Sequence, residues 1–230
     1  MMQIDSYPYN WPCSGQLSSK NTALVVIDMQ IDFCSPVGYL AHQGYNISQS
    51  RAPIPHIASL LCAFREAGYP IFHTREGHRS DLSDLTEREL SRSRNNPTGL
   101  GIGDTGPLGR LLVRGEPGHD IIPEVYPLPG EPIIDKPGRS AFIYTDFELL
   151  LKVKDIRNLV ICGLTTDLCV SSTMREASDR GYDCLIVSDA CGATMQKLHE
   201  SAVEMMGTEG GIFGAIVQSA RQVVEAIGTS

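Results

Sequence analysis

The sequence predicts an α/β fold in which helices cover both faces of an open, mostly parallel sheet. Three observations predict it. Short apolar, β-branched runs alternate along the chain with segments of helical period, the pattern of βαβ units. The apolar runs are apolar on both alternating faces, as strands of a buried parallel sheet must be. The 230 residues hold no repeat, low-complexity tract or linker, so residues 1–230 read as one domain large enough to bury its own core.

Thr22 to Ile27 forms the first strand and ends in Asp28. Ile54 to Ala67 follows as a helix, with Ile57, Leu60, Leu61 and Phe64 on one face and Gly68 as its stop. Pro70 to Thr74 is the second strand. Residues 75–117 make a long polar arm, rich in Gly, Arg, Ser and Asp, with one or two helical turns between Leu85 and Ser91. A connection of that length serves as a lid or an assembly arm. Pro132 to Lys136 is a strand halted by Pro137-Gly138, and Thr145 to Lys152 a helix. Asn158 to Leu164 is a strand leading into a helix from Leu168 to Arg180, ended by Gly181. Asp183 to Val187 is a strand and Lys197 to Met206 a helix. Gly211 to Phe213 reads as a last short strand, and Ala220 to Ile227 as a last helix.

Composition narrows the function classes. Apolar residues make up 42% of the chain and charged residues 20%, ordinary values for a globular protein. The net charge of −8 argues against a nucleic-acid or anionic-membrane partner, which would need clustered Lys and Arg. Met1 to Asp5 has neither a basic region nor an apolar one, so no secretory leader is expected. No apolar run reaches the roughly 20 residues of a spanning helix. Seven cysteines, an odd number, do not suggest a disulfide framework, and the expected location is the cytoplasm. No two of them have the spacing of a structural zinc site. No metal and no cofactor are expected.

In open α/β sheets ligands bind beyond the carboxyl ends of the strands. Asp28 and Lys136 each end a strand, and Cys169 lies in the first turn of the helix after the Asn158–Leu164 strand. Singly, each has an ordinary alternative: a capping carboxylate, a surface lysine, a small buried thiol. Together they supply a base, a cation and a nucleophile. A helix N-terminus and a nearby ammonium both favour thiolate over thiol, so Cys169 is expected to be activated. Cys162 and Cys184 read as strand core, and Cys62 sits in a helix. Cys13, Cys34 and Cys191 have no identifiable reactive partner. Gly101-Ile102-Gly103-Asp104-Thr105-Gly106 spells a dinucleotide fingerprint, but no strand precedes it and Pro107 follows at once.

These segments resemble the isochorismatase-like cysteine hydrolases across nearly the whole chain. Val25 to Phe33 resembles the family's first strand and catalytic Asp. Asp135-Lys136-Pro137 resembles its lysine segment, and Gly163 to Val170 its nucleophile elbow. The resemblance implies a three-layer α/β/α fold with a six-stranded, mostly parallel sheet, and assembly into a dimer or a tetramer. It implies that Asp28, Lys136 and Cys169 are catalytic and that Thr165 and Cys169 form an oxyanion hole. It also implies a cis peptide before Thr165. Within the family, His73 to Arg79, Arg114 to Gly118 and Thr173 to Ala177 look most like the biuret-hydrolase branch. That implies cleavage of a small linear ureide through a cysteine thioester, with release of ammonia. Glu209 departs from the Gln expected there, so triuret or another ureide stays open. So do ureidoacrylate and N-carbamoylsarcosine. Phe33 and Phe142 are expected to wall the pocket or belong to the core. Arg75 and Glu209 are expected to read the substrate's polar ends or form surface ion pairs. A binding module of the same fold, holding a flavin or another small molecule without catalysis, is the reading from a different class.

Overall fold

The computed structural model describes residues 3–15 and 17–228. Met1 and Met2, part of the segment read for a leader, lie outside the described residues. The first strand, β1 (Thr22–Ile27), is buried along its whole length, as its six apolar or β-branched residues require. Three four-residue helices follow, α1 (Ile31–Cys34), α2 (Tyr39–His42) and α3 (Ser48–Arg51). They are too short to leave a periodic signal. Helix α4 (Ile54–Glu66) buries Ile57, Leu60, Leu61 and Phe64, the face read from its spacing. Strand β2 (Ile71–Glu76) runs two residues further than expected.

The arm carries α5 (Glu87–Ser93), capped by Thr86, whose hydroxyl accepts from the Glu89 N–H at 3.3 Å. A small hairpin follows, β3 (Thr105–Gly106) and β4 (Gly109–Arg110). The glycine-rich hexapeptide therefore runs into a hairpin, not a phosphate-binding helix. The arm is fastened to the sheet by buried side chains. Asp32 accepts the N–H groups of Tyr39 (3.1 Å) and Leu112 (2.9 Å). The Gln30 amide donates to the carbonyls of Glu76 (2.9 Å) and His119 (3.0 Å) and accepts the Glu76 N–H (2.7 Å).

The remaining elements are β5 (Ile133–Lys136), α6 (Phe147–Val153), β6 (Asn158–Leu164), α7 (Ser171–Asp179), β7 (Asp183–Gly192), α8 (Gln196–Met206), β8 (Ala215–Val217) and α9 (Ala220–Gly228). The six long strands form one sheet in the order β5-β2-β1-β6-β7-β8, with every neighbouring pair parallel. Helices flank it in three layers. α4 packs on α9, and Phe147 of α6 meets Phe72 edge-on at 5.6 Å.

Two expectations are corrected. Gly211–Phe213 is not a strand. Glu209, Gly210, Gly211 and Gly214 all take positive φ, which makes this a turn, and the last strand is the apolar Ala215–Val217. The helix expected to start at Leu168 begins instead as a wide π turn over Thr166–Val170 before α7. From β1 the chain moves outward to β2 and β5, then returns to the other side of β1 as β6. The strand order reverses between β1 and β6, and the crevice of this sheet opens at that point.

Candidate active site

Four strand ends converge at the switch point. Asp28 follows β1 with φ +49°, a left-handed conformation that Asp tolerates better than most residues. Its Oδ1 accepts the Thr74 hydroxyl at 2.6 Å, and its Oδ2 lies 2.7 Å from Lys136 Nζ. Lys136 ends β5 and is fully buried, with its ammonium also donating to the Gly138 carbonyl at 2.9 Å. In register beside it stands Glu76, the last residue of β2. Glu76 Oε2 is 3.6 Å from Lys136 Nζ and accepts the Cys169 thiol at 3.1 Å. Arg139 Nη1 lies 3.9 Å from Glu76 Oε1. The sheet thus brings Asp28, Lys136 and Cys169 together and adds Glu76.

Glu76 and Cys169 line a cavity of about 300 Å³ whose wall also includes Phe33, Tyr39, Arg139 and Thr165, with the Asp28–Lys136 pair buried behind them. That volume suits a small organic molecule. The Leu164–Thr165 peptide is cis, as the family resemblance implies. The buried Thr165 Oγ1 has no hydrogen-bond partner.

The electrostatics differ from expectation at Cys169. Burial, reinforced by the charges of Glu76 and Asp28, pushes its thiol well above the ordinary range, and Lys136 offsets only part of this. The resting form is therefore the thiol, donating to Glu76. The predicted thiolate was argued from a helix start, but the Leu168 and Val170 N–H groups in the π turn are already bonded to the Thr165 carbonyl. Burial raises Glu76 too, yet Lys136 and Arg139 outweigh it and the net shift is downward. Asp28 is raised by burial, with Lys136 opposing. Burial lowers Lys136, but Asp28, Cys169 and Glu76 hold it charged. Donor atoms of Asp28, Glu76 and Cys169 lie within 4.8 Å of one another, close enough to consider a metal. The Lys136 ammonium already sits against both carboxylates, and a second cation there would meet its repulsion.

Three expected substrate contacts are corrected. Arg75 alternates with Glu76 along β2, so it points to the other side of the sheet. Asp135 (2.7 Å) and Asp120 (3.1 Å) hold it there. Phe142 packs against Phe147 at 4.9 Å and Tyr182 at 5.9 Å, within the core. Glu209 is exposed in the glycine turn, away from the cavity wall. Phe33 does line the cavity. Glu76 was missed because the strand was ended at Thr74. Extending it by two residues would have put a carboxylate at a strand end, the signal that singled out Asp28.

A comparison with protein-family models matches the isochorismatase domain over residues 22–221. The chain belongs to the isochorismatase family. It is 32% identical over 180 residues to ureidoacrylate amidohydrolase RutB of Azorhizobium caulinodans, covering 74% of this chain and 76% of that one. An isochorismatase family protein from Desulfovibrio vulgaris superposes with a TM-score of 0.73 at 27% identity, over 90% of this chain and 98% of the other. A cysteine hydrolase from Pseudomonas syringae shares the fold throughout, with a TM-score of 0.80 at 24% identity, over 100% and 98% of the two chains.

Proposed function

We propose that the protein, an amidohydrolase of the isochorismatase family, opens a small linear ureide of the biuret type through a thioester on Cys169. The observation that carries this reading is the buried contact of Cys169 Sγ with Glu76 Oε2, at 3.1 Å, beside the Lys136–Asp28 ion pair. The sulfur attacks the carbamoyl carbon as its proton passes to a carboxylate. The sequence assigns that proton to Asp28; the short Sγ–Oε2 contact supports Glu76 as the first acceptor, with Asp28 holding Lys136 in place. The ammonium of Lys136 stabilises the sulfur's developing negative charge. The N–H groups of Thr165 and Cys169 are assigned to the oxyanion, each good donor contributing about 3–4 kcal/mol. The carbon–nitrogen bond then breaks, ammonia leaves with the transferred proton, and water hydrolyses the thioester to restore the thiol.

The relatives named ureidoacrylate amidohydrolases support a ureide and favour a second member of the class, a ureido acid. An ammonia-release screen of biuret, triuret, ureidoacrylate, N-carbamoylsarcosine and nicotinamide tests the reading. Turnover of one or more ureides, unchanged after exhaustive chelation, is expected. Turnover of nicotinamide alone, or of none, would overturn it.

A further inference from the structure

Of the arm residues 77–117, only Arg92 on α5 reaches the cavity wall. Its guanidinium is set by Glu89, at 2.6 Å. The same carboxylate also pairs with Arg88 at 3.6 Å and with Arg139. Arg92 and Arg139 line the cavity with the carboxylates Glu76 and Asp167; Arg139 faces Glu76 at 3.9 Å, whereas Arg92 is held by Glu89. The Arg92 side chain is 43% exposed, so it stands toward solvent, whereas Cys169 and Lys136 are buried. The hydroxyl of Tyr39, another wall residue, faces Arg92. The cavity therefore has a reactive floor, an aromatic wall and a guanidinium on its outer side. A planar guanidinium matches carbonyl and carboxylate oxygens, and it offers nothing to an apolar tail.

We propose that Arg92 is a specificity-determining residue, receiving a carbonyl or carboxylate oxygen at the far end of a ureide whose carbamoyl carbon lies against Cys169. The proposal rests on the amidohydrolase reading above. It makes the arm a part of substrate recognition and favours ureides carrying a second oxygen-bearing group over simple alkylureas.

The test is protection of Cys169 from iodoacetamide, followed on the Cys169 peptide by mass spectrometry in the full-length protein. It needs no turnover. The probes are 3-ureidopropionate, 3-ureidopropionamide and propylurea, which share one length and differ in the far group. In Arg92→Gln, the concentration of 3-ureidopropionate giving half protection should rise at least tenfold, and that of propylurea by less than twofold. Arg92→Lys, which keeps the charge, should lie between wild type and Arg92→Gln for the acid, and it serves as the reporter should Arg92→Gln not fold. Loss for the acid alone assigns a carboxylate to Arg92; loss for acid and amide together assigns a carbonyl oxygen. Equal loss for all three probes, or loss for none, would overturn the proposal. Failure of the hydrolase reading itself shows up separately, as ureide turnover that is absent or that survives Cys169→Ser.

Discussion

At the scale of single residues, the site favours the protonated form of Cys169, the proposed nucleophile. Burial and two carboxylates raise Cys169, and Glu76 is the group in hydrogen-bonding contact with it. Removing that charge should have opposite effects on two measurements. Glu76→Gln should lower the thiol's pKa and speed iodoacetamide labelling of Cys169 at pH 7.5. The same change should slow ureide turnover by roughly a hundredfold, the scale of a lost general base. Parallel slowing of both would place Glu76 in a merely structural role. In the wild type, labelling of Cys169 should keep rising with pH beyond 9, without a plateau near neutrality. Asp28, Lys136 and Cys169 were legible because each stands at a strand end or just past one, where this fold class keeps its chemistry. Arg75 and Glu209 were misread because a one-residue alternation and a run of positive-φ glycines decide where they point, and neither is visible in charge alone.

At the scale of elements, the site depends on how closely β1 and β6 approach. Gly163 has φ +112°, and a Cβ there would sit 2.1 Å from the Ile27 carbonyl oxygen. Gly163→Ala should therefore force the two strands apart just below Asp28 and Thr165. A cost of about 3 kcal/mol or more corresponds to a fall in Tm of roughly 10 °C for a chain of this size, measurable by calorimetry. A Tm within 2 °C of wild type would mean that the backbone yields easily. The long elements were legible from their periodicity: α4 buries the four residues read from the spacing, and the apolar runs at β1 and β6 are buried throughout. The four-residue helices α1–α3 and the π turn were not, because they are set by packing against the sheet rather than by a repeating pattern.

At the scale of the whole molecule, the chain just past the arm buries His119, whose ring lies 3.6 Å from the Asp135 carboxylate of β5. His119 is pushed down to about 4, first by burial and then by Arg75. Its folded value lies below the unfolded value near 6.5, so the unfolded chain binds the extra proton between these limits. Stability is full above pH 6.5 and falls as the pH drops toward 4, by up to about 3 kcal/mol from this residue. His119→Asn should flatten the difference in urea midpoint between pH 7 and pH 4.5; an unchanged difference would show that His119 does not contribute. The parallel sheet was legible from the alternation, whereas the arm's path depended on contacts of Asp32 and Gln30 across 80 and 89 residues of chain. In the proposed function Cys169 forms the covalent bond to substrate. Cys169→Ser, assayed for ammonia release from the best ureide, tests it most directly. A loss of at least a thousandfold with an unchanged Tm is the predicted result; turnover within tenfold of wild type would contradict it.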